Sequence, residues 1–204
     1  MNLELFSAFL LLAAVLFLSP GPIVTLVVAT GVTQGMRAAL LTVAGTTLAN
    51  GLLLAMIAAG LTWLIHSSSV LFEYVRFAGA AYLIWLGIQA WRHAGQGMEV
   101  IAPPGRVNFW RGFWVALSNP KTIAFFSAFL PQFVDPALPA GPQIALMCLA
   151  SVMLGGVLDS SYAVAAGAGR AFLFTPARTR MMGRASGLVL IGGGIWLALA
   201  RRAP

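Results

Sequence analysis

Charge is scarce in this chain of 204 residues: 8% of the residues are charged, and five acidic residues face twelve lysines and arginines. Soluble domains carry about 25% charged residues, whereas here 60% of the residues are hydrophobic and the mean hydropathy is +0.91. This shortage excludes a soluble domain and predicts an all-α polytopic membrane protein. The net charge of +7 would suggest nucleic acid in a soluble protein. Here the arginines lie in short links and at span ends, so we expect membrane lipid and no nucleic acid as a partner.

Cysteine and histidine are also rare. The single cysteine, Cys148, excludes an internal disulfide and any multi-cysteine metal site. No Ser-His-Asp order, HExxH motif or phosphate loop occurs, so we expect no metal, no cofactor and no catalytic constellation. The N-terminus lacks a basic segment and a cleavage site ahead of its apolar run, which predicts a retained span.

Apolar runs are long enough to cross a bilayer, which takes about 20 residues, at six places. The predicted spans are 5–29, 38–65, 71–91, 109–134, 143–169 and 185–200. The longest link divides the chain into a first three-helix half (1–95), a linker (96–108) and a second three-helix half (109–204). Because each half has an odd number of spans, the second half must lie upside down relative to the first. The sequence therefore predicts six transmembrane helices arranged as two inverted repeats.

The fourth span contains polar residues near its middle: Ser118, Asn119, Pro120 and Lys121, the only lysine of the protein. Proline lacks an N–H, so the helix must kink or break there. If the helix breaks rather than kinks, Asn119 is the N-cap and Pro120 the first residue of a new half-helix. Its free N–H groups and positive dipole end, beside Lys121, would form a site for an anionic group such as a carboxylate.

The first span is interrupted in the same way by Ser19, Pro20, Gly21 and Pro22. We interpret Ser19 as an N-cap and Pro20 as the first residue of a half-helix. Interrupted apolar segments at corresponding positions of two halves are the best sequence pointer to a transporter binding site. The predicted substrate site therefore lies where the broken spans 1 and 4 meet.

Three polar residues lie deep in apolar spans, where each costs free energy and indicates function. Lys121 is interpreted as a counter-ion for a substrate carboxylate or for Asp159, with a lysine that snorkels to the interface as the alternative. Asp159 is assigned to substrate binding and coupling, either as a proton carrier or as a ligand of the substrate amine. The alternative is a structural ion pair. Asn50 in span 2 binds substrate or joins two helices.

The arginines predict the orientation. The links after spans 1, 3 and 5 hold the larger set, which the positive-inside rule puts in the cytoplasm, with both termini outside. A five-span chain with one terminus inside is the alternative, because two arginines also lie at the C-terminus. The cytoplasmic set is Arg37, Arg92, Arg106, Arg111, Arg170, Arg178, Arg180 and Arg184.

Four motifs together resemble the lysine-exporter (LysE/RhtB) family of bacterial amino-acid efflux proteins. They are Pro20-Gly21-Pro22, the run 79–87 (GAAYLIWLG), Asn119-Pro120-Lys121 with the phenylalanine pair 125–126, and the run 130–133 (LPQF). The resemblance covers essentially the whole chain. Members often carry Asp directly after the PGP motif, where this chain has Ile23.

The resemblance implies an inner-membrane secondary transporter that exports amino acids or their derivatives by antiport, driven by the proton motive force. Its partners would be a small amino-acid substrate and protons. The sequence leaves open whether copies of the chain assemble with one another. An integral-membrane enzyme and an ion channel are the alternatives to a transporter, and neither has a supporting motif.

Overall fold

The computed structural model describes residues 1–67, 69–94, 108–169 and 175–199, and all regular structure in these ranges is helical. A short 3-10 turn at Leu130–Phe133 follows α6. The helices are α1 (Leu3–Leu18), α2 (Pro22–Gln34), α3 (Met36–Ser67), α4 (Ser69–Arg92), α5 (Asn108–Leu117), α6 (Pro120–Phe129), α7 (Ala140–Gly167) and α8 (Pro176–Leu199).

The helices follow the predicted spans. Span 1 corresponds to α1 and α2, span 4 to α5 and α6, and each remaining span to one helix. The main departure is α8, which begins at Pro176 rather than at Ala185. The region 176–184, predicted as part of a basic link, is therefore helical. Its arginines can extend from a helix end into the interface, so charge ends the apolar segment without ending the helix.

Membrane-spanning character is clear for part of the described chain. Three helical segments are long and apolar enough to cross a bilayer: Met36–Leu61, Ala140–Gly167 and Ala177–Leu199. A fourth span results if α1 and α2, which meet at an angle of 50°, count as one broken span. The protein is thus an all-helical membrane protein with three or four such spans among the residues that the structure describes.

Equivalent helices of the two predicted halves pack along one another: α3 lies against α7, and α4 lies against α8. Small residues permit the close approach, as is usual between membrane helices. A Cβ added at Gly87 on α4 would lie 2.6 Å from the carbonyl oxygen of Gly187 on α8. On α3, Gly45 lies directly against the backbone of Phe109 on α5. Glycine at these positions therefore brings the helices into backbone contact.

Contacts near helix ends join α2 to α5 and α4 to α8. The amide of Asn108, at the start of α5, donates to the side chain of Gln34, at the end of α2, at 3.0 Å. Elsewhere the guanidinium of Arg184 lies 5.5 Å from the ring centre of Trp91. The link between α2 and α3 is a single glycine, Gly35, whose φ of 87° favours that residue. The predicted arginines Arg106 and Arg170, and nearly all of the linker 96–108, lie outside the described residues.

A series of aromatic side chains packs between the helices, alongside aliphatic core residues. Phe125 and Phe129 stack at 4.9 Å between ring centres, and Phe133 continues the series to Trp196 at 5.8 Å. Phe9 packs against Phe133 at 5.6 Å. Phe9, Phe125, Phe129 and Phe133 are buried, so these rings contribute to the apolar packing between the helices.

Candidate functional site

The break in span 1 differs in detail from the prediction. The backbone N–H of Ser19 still donates to Val15 and Leu16 at 3.0 and 3.3 Å, so Ser19 ends α1 as its C-cap. Gly21, with extended φ and ψ of −170° and −177°, is the N-cap of α2. Pro22 occupies the first turn of α2, where its missing N–H costs nothing. The interpretation of Ser19 as N-cap and Pro20 as first helical residue is therefore wrong: the new helix starts two residues later.

The break in span 4 matches the prediction. The side-chain oxygen of Asn119 accepts a hydrogen bond from the backbone N–H of Lys121 at 3.1 Å. Pro120 is the first residue of α6. Span 4 is thus two half-helices, α5 and α6, that meet at an asparagine cap. The alternative of a kink in one continuous helix is excluded.

The ammonium group of Lys121 reaches across to the end of α1. It donates to the carbonyl oxygen of Leu16 at 2.8 Å and to that of Ser19 at 3.1 Å. The hydroxyl of Tyr162, on α7, donates to the carbonyl of Leu18 at 3.0 Å. A helix end leaves its last carbonyls without partners and carries partial negative charge. Lys121 and Tyr162 donate hydrogen bonds to these carbonyls, and the charge of Lys121 offsets the partial negative charge. Both contacts join the two halves at the break.

Asp159 lies on α7, with 2% of its surface exposed. It is near enough to Lys121 for the two charges to interact, and the hydroxyl of Thr46 on α3 lies beside its carboxyl group. That hydroxyl also donates to the carbonyl of Val43 at 3.0 Å. Within the described ranges, Arg76 and Glu73 form the only ion pair closer than 4.0 Å. Lys121 and Asp159 are therefore neighbours that do not form a direct salt bridge.

A small cavity separates these groups. Its volume is about 20 Å³, and a cavity needs only about 10–15 Å³ to hold one water. In this conformation the cavity is therefore too small for an amino acid. Its wall combines the starts of α2 and α6 with the end of α1 and one face of α7. The lining residues are Leu16, Phe17, Ser19, Gly21, Ile23, Val24, Asn119, Lys121, Thr122 and Asp159.

The structure brings five predicted site residues to this cavity and leaves four outside its lining. Ser19, Gly21, Asn119, Lys121 and Asp159 line it. The backbone of Gly21 lies especially close to Lys121, since a Cβ added there would be 3.4 Å from the ammonium nitrogen. The other four are the three prolines of the breaks and the amide of span 2: Pro20, Pro22, Pro120 and Asn50.

Asn50 is buried on α3 away from that lining, with 3% of its surface exposed. Its side-chain oxygen has no hydrogen-bond partner among the described residues. It lies one helical turn from Thr46, on the same face of α3. Asn50 therefore lies one turn from Thr46, the residue beside Asp159, and its side-chain oxygen can still accept a hydrogen bond.

Sequence reasoning missed several residues at this site. Ile23, Val24 and Thr122 line the cavity because they belong to the first turns of the two half-helices. Their proximity to the breaks was a signal that could have identified them. Tyr162 could have been found from its spacing of three residues after Asp159, which places both on one face of α7. In the described part of the chain, no three His, Cys, Asp or Glu side chains come together as metal ligands.

Several known proteins are similar to this chain in sequence. The family profile described as "LysE type translocator" matches residues 14–201. A homoserine/homoserine lactone efflux protein of Salmonella typhimurium is 35% identical over the full length of both chains. A leucine efflux protein of Klebsiella pneumoniae is 34% identical over 68% of this chain and 66% of its own. An uncharacterized membrane protein of Vibrio cholerae is 29% identical over 98% of this chain and its own full length. No solved structure matches the chain.

Proposed function

The chain belongs to the LysE type translocator family, and from that premise we propose that it is a secondary transporter that exports amino acids or close derivatives from the cytoplasm, driven by the proton motive force. Relatives similar over the whole chain are named for efflux of homoserine and homoserine lactone. A relative similar over two thirds of it is named for efflux of leucine. These names support an amino-acid substrate, and the residues at the cavity offer the chemistry to bind one.

The observation that carries the proposal is the pair of unlike charges at one cavity, Lys121 and Asp159, without a direct salt bridge. An amino acid presents a carboxylate and an ammonium on one carbon, so a single substrate molecule can meet both charges. An ammonium has three donors, and Lys121 uses two of them on α1. The third is available for the substrate carboxylate, together with the N-terminal backbone groups of α2 and α6. The substrate ammonium would lie at Asp159.

Asp159 supplies a route for coupling. A carboxylate at this site binds the substrate ammonium, and a proton taken up from outside removes that negative charge. The substrate then loses its amine partner and leaves. Release of the proton to the cytoplasm restores the carboxylate for the next substrate. Export of one amino acid thus accompanies entry of a proton, with Asp159 as the group that both ligands share.

The proposed architecture is six spans in two inverted halves, 1–95 and 109–204, joined by the linker 96–108. It is supported by the pairing of α3 with α7 and of α4 with α8, which is the pairing expected if a two-fold axis relates the halves. The arginine-bearing ends lie in the cytoplasm of the inner membrane. The cavity, of about 20 Å³, is too small for an amino acid in this conformation, so the substrate enters when one half rocks against the other. Movement of α1 relative to α6 would change the contacts of Lys121.

Asn50 completes the proposed substrate-binding set from α3. Its buried, unpartnered oxygen can accept a hydrogen bond from the substrate ammonium once the halves separate. The breaks formed by Pro20, Pro22 and Pro120 contribute by exposing backbone groups rather than by contact through their side chains. Together these residues and the cavity lining form a site built mainly from helix ends.

The test is counterflow in proteoliposomes. Vesicles loaded with unlabelled leucine or homoserine should accumulate the labelled amino acid, while protein-free vesicles and vesicles with the Lys121→Met variant should not. Failure to accumulate any amino acid would contradict the proposal. Unitary currents across a planar bilayer would instead indicate a channel, and chemical turnover of the substrate in detergent would indicate an enzyme.

A further inference from the structure

We infer that the cavity selects zwitterionic amino acids whose side chain is uncharged, and that it discriminates against cationic and anionic side chains. The inference rests on the proposed function and concerns the same site. It follows from the number and positions of the charges on the cavity wall.

The charged residues of the wall pair with the carboxylate and the ammonium that all amino acids carry. One cation, Lys121, and one acid, Asp159, are found among the ten lining residues. The substrate carboxylate pairs with the first and the substrate ammonium with the second. A lysine or arginine substrate would bring a second positive charge with no second acid to receive it. A glutamate substrate would bring a second negative charge, with Lys121 already engaged.

The rest of the wall does not compensate for an additional charge. Four lining residues are apolar: Leu16, Phe17, Ile23 and Val24. The oxygen of Asn119 is already occupied as the cap of α6, and hydroxyls are offered by Ser19 and Thr122. An apolar wall with hydroxyls accommodates an aliphatic or hydroxylated side chain. An uncompensated charge in a membrane interior weakens binding by a factor on the order of 100.

The first experiment is competition in the counterflow assay with the unmodified protein. Leucine and homoserine should inhibit uptake of labelled leucine at similar concentrations. Lysine, arginine and glutamate should require concentrations about 100-fold higher. The inference is overturned if any charged amino acid competes within about tenfold of leucine, which is a smaller penalty than an unpaired charge imposes.

The second experiment supplies the missing acid. Val24 is the third residue of α2, where a carboxylate is favoured by the helix dipole and is compatible with folding. In Val24→Asp the ratio of lysine to leucine competition should shift toward lysine by about tenfold or more. Val24→Asn, which has the same shape without the charge, is the matched control and should not shift it. Equal ratios in the two variants would show that charge pairing does not set the selectivity.

The two proposals fail in different ways. If no amino acid is transported, the proposed function is contradicted. If leucine and lysine are transported equally well, the transporter assignment stands and the inference about selectivity is wrong. Loss of competition by both leucine and lysine in Val24→Asp would mean that the added carboxylate does not receive a cationic side chain, and it would overturn the inference.

Discussion

Replacement of Lys121 by methionine removes a charge and two hydrogen bonds while keeping a long apolar stem. The bonds join α6 to the carbonyls of Leu16 and Ser19. Interhelical hydrogen bonds in membranes contribute about 0.6–1.7 kcal/mol each. The variant should therefore lose roughly 1–3 kcal/mol of stability, a loss that leaves a membrane protein folded because the apolar packing around the site is unchanged.

Transport should respond far more strongly than stability. The substrate carboxylate loses its only full positive partner on the cavity wall, and a charge left unpaired in the membrane reduces affinity by a factor on the order of 100. Counterflow should fall to the level of empty vesicles, while size-exclusion profiles and thermal unfolding report a folded protein. Lys121→Arg should remain folded and transport poorly, since a planar guanidinium does not replace a compact ammonium.

Tyr162→Phe is the matched control, because it removes a hydrogen bond to the adjacent carbonyl of Leu18 and leaves the charge of Lys121 in place. It should lose about 0.6–1.7 kcal/mol of stability and retain counterflow. If Lys121→Met transports at the parent rate, the carboxylate site is elsewhere and Lys121 serves only to cap α1. If Tyr162→Phe loses transport as completely as Lys121→Met, capping of α1 rather than charge explains the effect.

Three further predictions concern coupling, orientation and packing. Asp159→Asn should abolish proton-driven efflux and also weaken downhill exchange, because the substrate ammonium loses its charged partner, and normal gradient-driven export would contradict the coupling role. Single cysteines at 106 and 178, in a chain without Cys148, should resist an impermeant thiol reagent in intact cells, and labelling of either would refute the orientation. Gly87→Leu should prevent α4 from packing on α8 and lower the unfolding temperature, whereas Gly51→Leu, with nothing within 4 Å of an added Cβ, should not.

Local sequence was sufficient to predict a helix break where the residue pattern is compatible with only one structure. Asn119 followed by Pro120 predicted a cap and a helix start, and both are confirmed. The first break was harder, because Ser19 and Gly21 are both acceptable caps and each precedes a proline. Propensity does not distinguish between the two caps. The N–H of Ser19 still donates to the last turn of α1, so the next helix begins only at Pro22.

Long-range contacts explain what the sequence did not reveal. The ammonium of Lys121 bonds carbonyls more than 100 residues away, and no periodicity encodes that pairing. The sequence predicted a lysine beside a half-helix N-terminus. The structure adds that the same lysine neutralises the C-terminal end of another half-helix. Tyr162 was overlooked for the same reason, because its role depends on how α7 is placed against α1.

In the proposed mechanism an amino acid occupies the cavity between the broken spans. Protection of a cysteine on the cavity wall tests this occupancy most directly. Thr122 lines the cavity, and Thr122→Cys in a Cys148→Ser chain can be titrated with a small thiol reagent in the presence of increasing leucine. Ser7→Cys, at an exposed position near the start of α1, is the control. We expect leucine to slow the reaction at residue 122, with half-protection at the concentration that half-saturates counterflow, and to leave residue 7 unaffected. Reaction at residue 122 that is unchanged by leucine at concentrations that saturate transport would place the substrate elsewhere.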